Sequence, residues 1–79
     1  MRIATPKDLG ALAQEARRAA GLTQSQLGVQ IGASRFWVAQ FERGKSGAEL
    51  GLALKALRAL GLVVSIVPQQ VRGGAHVHE

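Results

Sequence analysis

The sequence predicts an all-α fold, a bundle of four to five short helices with one short C-terminal β-strand that pairs across a homodimer. Three observations predict it. Helix starts and stops punctuate the chain, with Thr5, Thr23 and Ser34 as N-caps and Gly21, Gly44 and Gly61 as stops. Between them, apolar residues recur three and four apart, the spacing of one helix face. Only residues 62–67, LVVSIV, read as a strand, and no second stretch offers itself as a partner within the chain.

The 79 residues make one small domain, residues 1–67, followed by a tail, 68–79. A chain this short buries roughly 60–65% of its unfolded surface, so its core is marginal and pairing with a second copy helps. The hydrophobic fraction of 47% is high for this size and implies that some apolar surface faces another chain. The net charge is +5 and the sequence pI about 11.3. A basic balance points to nucleic acid only where the charges cluster, and Arg35, Arg43 and Lys45 do so. The absence of cysteine excludes disulfides, iron–sulfur clusters and thiol catalysis, and fits the cytoplasm. The N-terminus has no continuous apolar core of a signal peptide, and no run approaches the ~20 apolar residues that cross a membrane.

The first helix starts at Thr5-Pro6-Lys7-Asp8. Thr5 caps it, Pro6 fills the first helical position where its missing N–H costs nothing, and Asp8 sits in the electropositive first turn. Leu9, Leu12, Ala13, Ala16 and Ala20 form its apolar face up to Gly21. Arg2 ahead of it is a solvated residue or a basic arm. Near its end, Arg18 either complements the helix C-terminus or touches a phosphate, whereas Arg17, one turn from the apolar positions, suits a structural ion pair.

Two short helices follow back to back. Thr23 and Gln26 have capping-box spacing, and Leu27 and Ile31 share a face. Gly32-Ala33 breaks the pattern. Ser34 caps the next helix, about 35–43, with Val38 and Phe41 inward and Gly44 as its stop. Helix, short turn and helix make a helix-turn-helix, a motif that places its second helix in a DNA major groove.

A fourth helix spans about 48–60 and is apolar on more than one stripe. Leu50, Ala53, Leu54 and Leu57 are assigned to the domain's own core, and Leu52, Ala56 and Ala59 to a dimer interface, with Lys55 and Arg58 on the wet side. Leu62, Val64 and Ile66 of the strand extend that interface. A lone apolar strand leaves its backbone groups unpaired, and the same strand of a second copy across a two-fold axis satisfies them. The alternative is an extended tail packed on its own domain. The tail itself is polar and glycine-interrupted and reads as disordered. His76 and His78 are two ligands without a third, too few for a metal site, and no cofactor is expected.

No nucleophile, base and orienting group come together. Ser25, Ser34, Ser46 and Ser65 lie away from both histidines, the carboxylates are unpaired, and no glycine-rich phosphate loop follows a strand, so the chain is not expected to be an enzyme. DNA binding asks for other residues. Ser34, Arg35, Phe36 and Gln40 lie opposite the inner face of the second motif helix and are the candidate base contacts. Arg35 suits guanine O6 and N7, Gln40 adenine N6 and N7, and Phe36 a thymine methyl. Gln24 at a helix N-terminus, Arg43 and Lys45 are candidate phosphate contacts. Trp37 either covers the helix–helix contact or donates its indole N–H to a phosphate, and is counted with the phosphate contacts.

The stretch LTQSQLGVQIGASRFWVAQFERG resembles the Xre/Cro helix-turn-helix family of phage and bacterial repressors, with Thr23, Gln24, Leu27, Gly32, Ser34, Val38, Glu42 and Gly44 on its pattern. The resemblance implies a lambda-repressor-like bundle, a pairing of Arg17 with Glu42, and Ser34, Arg35, Phe36 and Gln40 facing the groove. Gly28, Ala33 and Trp37 depart from the family's usual residues, and no proline follows Gly44. Over the whole chain, T-P-x-x-L-G, ALKALRALGL, LVVSIVP and the polar tail are similar to HipB-type antitoxins, including the Y4mF-like group. That similarity implies a dimer joined through its C-terminal strand, double-stranded DNA with a palindromic operator, a HipA-type serine/threonine kinase toxin as partner, and autorepression. Two other readings stand beside it. One is a protein-interaction module that mainly neutralises a partner, and the other a stand-alone phage-type repressor.

Overall fold

Local capping decides where each helix begins. In the computed structural model, which describes residues 2–69, the order is α1 (Pro6–Ala19), α2 (Gln24–Ile31), α3 (Arg35–Glu42) and α4 (Leu50–Ala59). Met1 and residues 70–79, with His76, His78 and most of the predicted disordered tail, lie outside the described residues. Thr5 and Asp8 form a reciprocal capping box. The Asp8 N–H donates to Thr5 Oγ1 (3.1 Å), and the Thr5 N–H donates back to the Asp8 carboxylate (3.2 Å). Thr23 and Gln26 repeat the arrangement at 3.0 and 2.8 Å. Ser34 Oγ accepts from the Trp37 N–H at 3.0 Å.

Val38 and Phe41 of α3 form the centre of the core with Ala13 of α1 and Leu27 and Ile31 of α2. α3 packs against both α1 and α2, and α4 closes the bundle from the α2 side. The α1–α3 crossing is close because position 10 has no side chain. A Cβ on Gly10 would stand 2.4 Å from the Phe41 carbonyl oxygen and 2.6 Å from that of Glu42. The same end of α3 is held at Gly44, whose φ of +91° suits glycine and where a Cβ would come within 2.6 Å of Lys7 Cα.

α4 differs from the sequence expectation. It starts at Leu50 because Glu49 takes the N-cap and accepts from the Leu52 N–H at 3.1 Å. Its buried stripe is Ala53, Ala56 and Leu57, with Leu60 packed beside them. Leu50 and Leu54, expected in the core, are 70% and 43% exposed. Ala56, expected at a dimer interface, is fully buried in the chain's own core. α4 packs one face on α2 and turns Ala53, Ala56 and Leu57 inward, which leaves Leu50 and Leu54 on the side facing water. Leu52 is half-buried and Ala59 exposed.

Beyond α4, Leu62 is tied back by a bond from its N–H to the Leu57 carbonyl (2.9 Å) and rests on the core. From Val63 the chain leaves the domain. Val63 and Ile66 are 91% and 92% exposed, so this segment does not pack as a tail on its own bundle. In the single chain, residues 62–69 are neither helix nor strand. Among the described residues, no helix is long and apolar enough to cross a membrane.

Candidate nucleic-acid interface

α3 has two faces of different chemistry. Val38, Phe41 and Glu42 are buried. Ser34, Arg35 and Phe36 are exposed and Gln40 half-buried on the other side. Phe36 leaves 66% of its surface in water. The Ser34 hydroxyl accepts from the backbone at its cap, which leaves its O–H free to donate.

Behind this face, a buried ion pair fixes the helix. Arg17 Nε donates to Glu42 Oε2 at 2.6 Å and Arg17 Nη2 to Glu42 Oε1 at 3.0 Å, while Nη1 donates to the Leu22 carbonyl at 2.8 Å. Burial pushes the Glu42 carboxyl upward, but hydrogen bonds from Arg17 and Gln24 together with the Arg17 charge outweigh it and hold the carboxyl below its ordinary value. The hydrogen bond to Glu42 raises Arg17 further above its already high value, against the opposing effect of burial.

Gln24, a candidate phosphate contact, is half-buried and sends its side-chain amide inward to Glu42 Oε1 at 3.0 Å. The sequence reading missed this role, because the partner lies 18 residues away. Trp37 is half-buried and stacks on Phe41, with ring centroids 5.1 Å apart and planes inclined by 17°. Its structural role is therefore real, and its edge also lines a cleft of about 270 Å³ between α3 and the 45–49 loop. That cleft brings Ser34, Phe36, Gln40 and Lys45 together, which the sequence places eleven residues apart at its ends. Arg43 is exposed at the C-cap of α3, one residue beyond the buried Glu42. Glu49 lines the same cleft and did not figure among the expected site residues; a carboxylate three residues ahead of Leu52 was its signal. No group of three or more metal-ligating side chains forms among the described residues.

The α2–turn–α3 unit, with Ser34, Arg35 and Phe36 exposed on α3, lies inside residues 8–65, which match the Helix-turn-helix domain family. The chain belongs to the helix-turn-helix family of DNA-binding transcription regulators. This regulator is 35% identical over 66 residues to the uncharacterized HTH-type transcriptional regulator y4mF of Sinorhizobium fredii, a match that covers 84% of this chain and 87% of the relative. Among solved structures, the HipB–O4 20mer complex is similar with a TM-score of 0.80 and 26% identity, over 89% of this chain and 99% of that one. A HipA–HipB–O2–O3 complex gives the same TM-score, identity and coverage. The regulator is thus HipB-like in fold and sequence, an all-α lambda-repressor-like bundle, and its family is one of transcription regulators rather than enzymes.

Proposed function

We propose that two copies of this regulator bind a palindromic operator, repress the operon that encodes them, and act as the antitoxin of a HipA-type serine/threonine kinase toxin. One observation carries the DNA part: the inner face of α3 is locked to the core through Glu42 and Arg17, while Ser34, Arg35, Phe36 and Gln40 stand on its open side. In this reading Arg35 takes a guanine, Gln40 an adenine and Phe36 a thymine methyl. Lys45, Arg43 and the edge of Trp37 hold phosphates. Gln24 contributes its backbone N–H at the start of α2 and the amide hydrogen that Glu42 does not take.

The exposed Val63, Val64, Ile66 and Val67 support the homodimer, since unpaired apolar backbone of this kind is satisfied by a second copy across a two-fold axis. Leu52, Ala59 and Leu62 flank it and complete the proposed interface; Ala56 does not belong to it. Two recognition helices then sit one DNA turn apart, ~34 Å. The toxin partnership rests on likeness to a chain solved together with HipA and operator DNA. A stand-alone repressor of the same dimeric form is the reading without that partner.

A second reading, a module that mainly holds a protein partner, is favoured by the exposed Leu50 and Leu54 and by an apolar groove of about 320 Å³ beside Ile3, Leu9 and Leu50. A gel-shift with the chain's own upstream DNA against random DNA, with and without the product of the adjacent gene, separates the readings. Preferential retention of the upstream DNA by a two-protomer species supports the operator reading, and a further shift on adding the neighbour supports the antitoxin. Equal retention of random DNA overturns the first, and no interaction with the neighbour overturns the second.

A further inference from the structure

The DNA-facing cleft contains a carboxylate where a phosphate-binding surface calls for positive charge. We infer that Glu49 limits the strength of DNA binding: its side chain repels the phosphate backbone and occupies a backbone donor, the Leu52 N–H, that would otherwise meet it. The inference rests on the DNA reading above.

Three observations carry it. Glu49 lines the same cleft as Ser34, Phe36, Gln40 and Lys45, so DNA seated on α3 brings phosphates towards it. The carboxylate is held in place, since Oε1 accepts from the Leu52 N–H at 3.1 Å and Oε2 lies 3.1 Å from where a Cβ on residue 51 would stand, a space that Gly51 leaves open. It is engaged in no ion pair among the described residues; the pair found there joins Arg17 to Glu42.

A helix N-terminus normally offers free N–H groups and a partial positive charge to an anion. At α4, Glu49 fills that position with the protein's own anion. The effect falls on every DNA sequence alike, because it acts on the backbone and not on base edges. Glu49 therefore sets how tightly the regulator holds DNA and leaves the choice of sequence to α3.

The test compares the full chain with E49S, E49Q and E49D on upstream and random DNA across a salt series, by fluorescence anisotropy. E49S keeps an N-cap oxygen and removes the charge; E49Q removes the charge at constant length; E49D keeps both charge and cap. The expected result is that E49S and E49Q bind both DNAs about three- to tenfold more tightly at low salt, with the gain shrinking as salt rises, while E49D stays with the parent chain. Unchanged affinity of both neutral variants overturns the inference. So does a loss confined to the upstream DNA, which would make Glu49 a reader of base amino groups. A parent chain that binds neither DNA overturns the operator reading and this inference together, and so is distinct from a failure at position 49 alone.

Discussion

Arg17 on α1 and Glu42 at the end of α3 hold each other through two hydrogen bonds, of 2.6 and 3.0 Å, across 25 residues of sequence, with side chains 8% and 1% exposed. Leu22 and Gln24 bond into the same pair, so α1, the turn after it, α2 and α3 meet at one point. Replacing Glu42 with glutamine leaves the Arg17 charge buried and unmatched. Removing one member of a buried pair costs about 3–5 kcal/mol. Urea unfolding of E42Q is expected to show that loss, and a midpoint within error of the parent would refute it.

The same pair sets an acid limit on stability. The Glu42 carboxyl sits below its ordinary value of 4.5 in the fold, so its contribution is fully present above that value and is lost as the pH falls through the lower folded one. Melting temperature measured from neutral pH downward is expected to drop below about pH 4.5, with a shallower drop in E42Q, which has no proton to take up at this position. Parallel curves for the two proteins would contradict the assignment.

Gly10 offers a test in which two rules oppose each other. Helix propensity alone makes Gly10→Ala stabilising by about 1 kcal/mol. The added Cβ would stand 2.4 Å from the backbone oxygen of Phe41, which cannot move aside as a side chain would. Overpacking of this kind costs about 1–3 kcal/mol, so G10A is expected to lower the urea midpoint. A stabilised G10A would mean that α1 and α3 part easily.

Arg35 and Lys45 should fail in different ways. Arg35→Ala is expected to lose about 1–3 kcal/mol of discrimination at one base pair, seen as a collapse of the ratio of operator to random affinity. Lys45→Ala should weaken both DNAs alike and lower the salt slope by about 1. Equal losses on operator and random DNA for both variants would remove Arg35 from the base contacts.

If the proposed dimer is joined through its C-terminal stretch, deleting everything from Leu62 onward dissociates it and weakens operator binding in step. Sedimentation of the shortened chain decides this. A dimer of unchanged strength would show that the exposed Val63–Val67 stretch does not join the two copies.

The caps and stops of the first three helices were legible because each is a local event. Thr5, Thr23 and Ser34 accept from donors three residues on, and Gly21 and Gly61 need only their own backbone freedom. The inward face of α4 was not legible. Leucine and alanine occupy both sides of that helix, and the burial of Ala53, Ala56 and Leu57 depends on which side meets the rest of the bundle. Glu49 was missed as a cap since Ser, Thr, Asp and Asn are the usual caps. At the candidate site, periodicity separated Val38 and Phe41 from Arg35 and Phe36. It could not reveal that Gln24 turns inward, because that depends on a carboxylate delivered by another helix.

The division of α3 into two faces also bears on how such regulators diversify. Arg35 and Phe36 carry no packing or capping duty, so both can be exchanged without disturbing the bundle. Ser34 cannot drift as freely, because its oxygen also starts the helix. On the proposed reading of Arg35 and Phe36 as base contacts, duplicated copies of this chain in one genome would come to govern separate promoters through two adjacent codons, while sharing one unaltered scaffold.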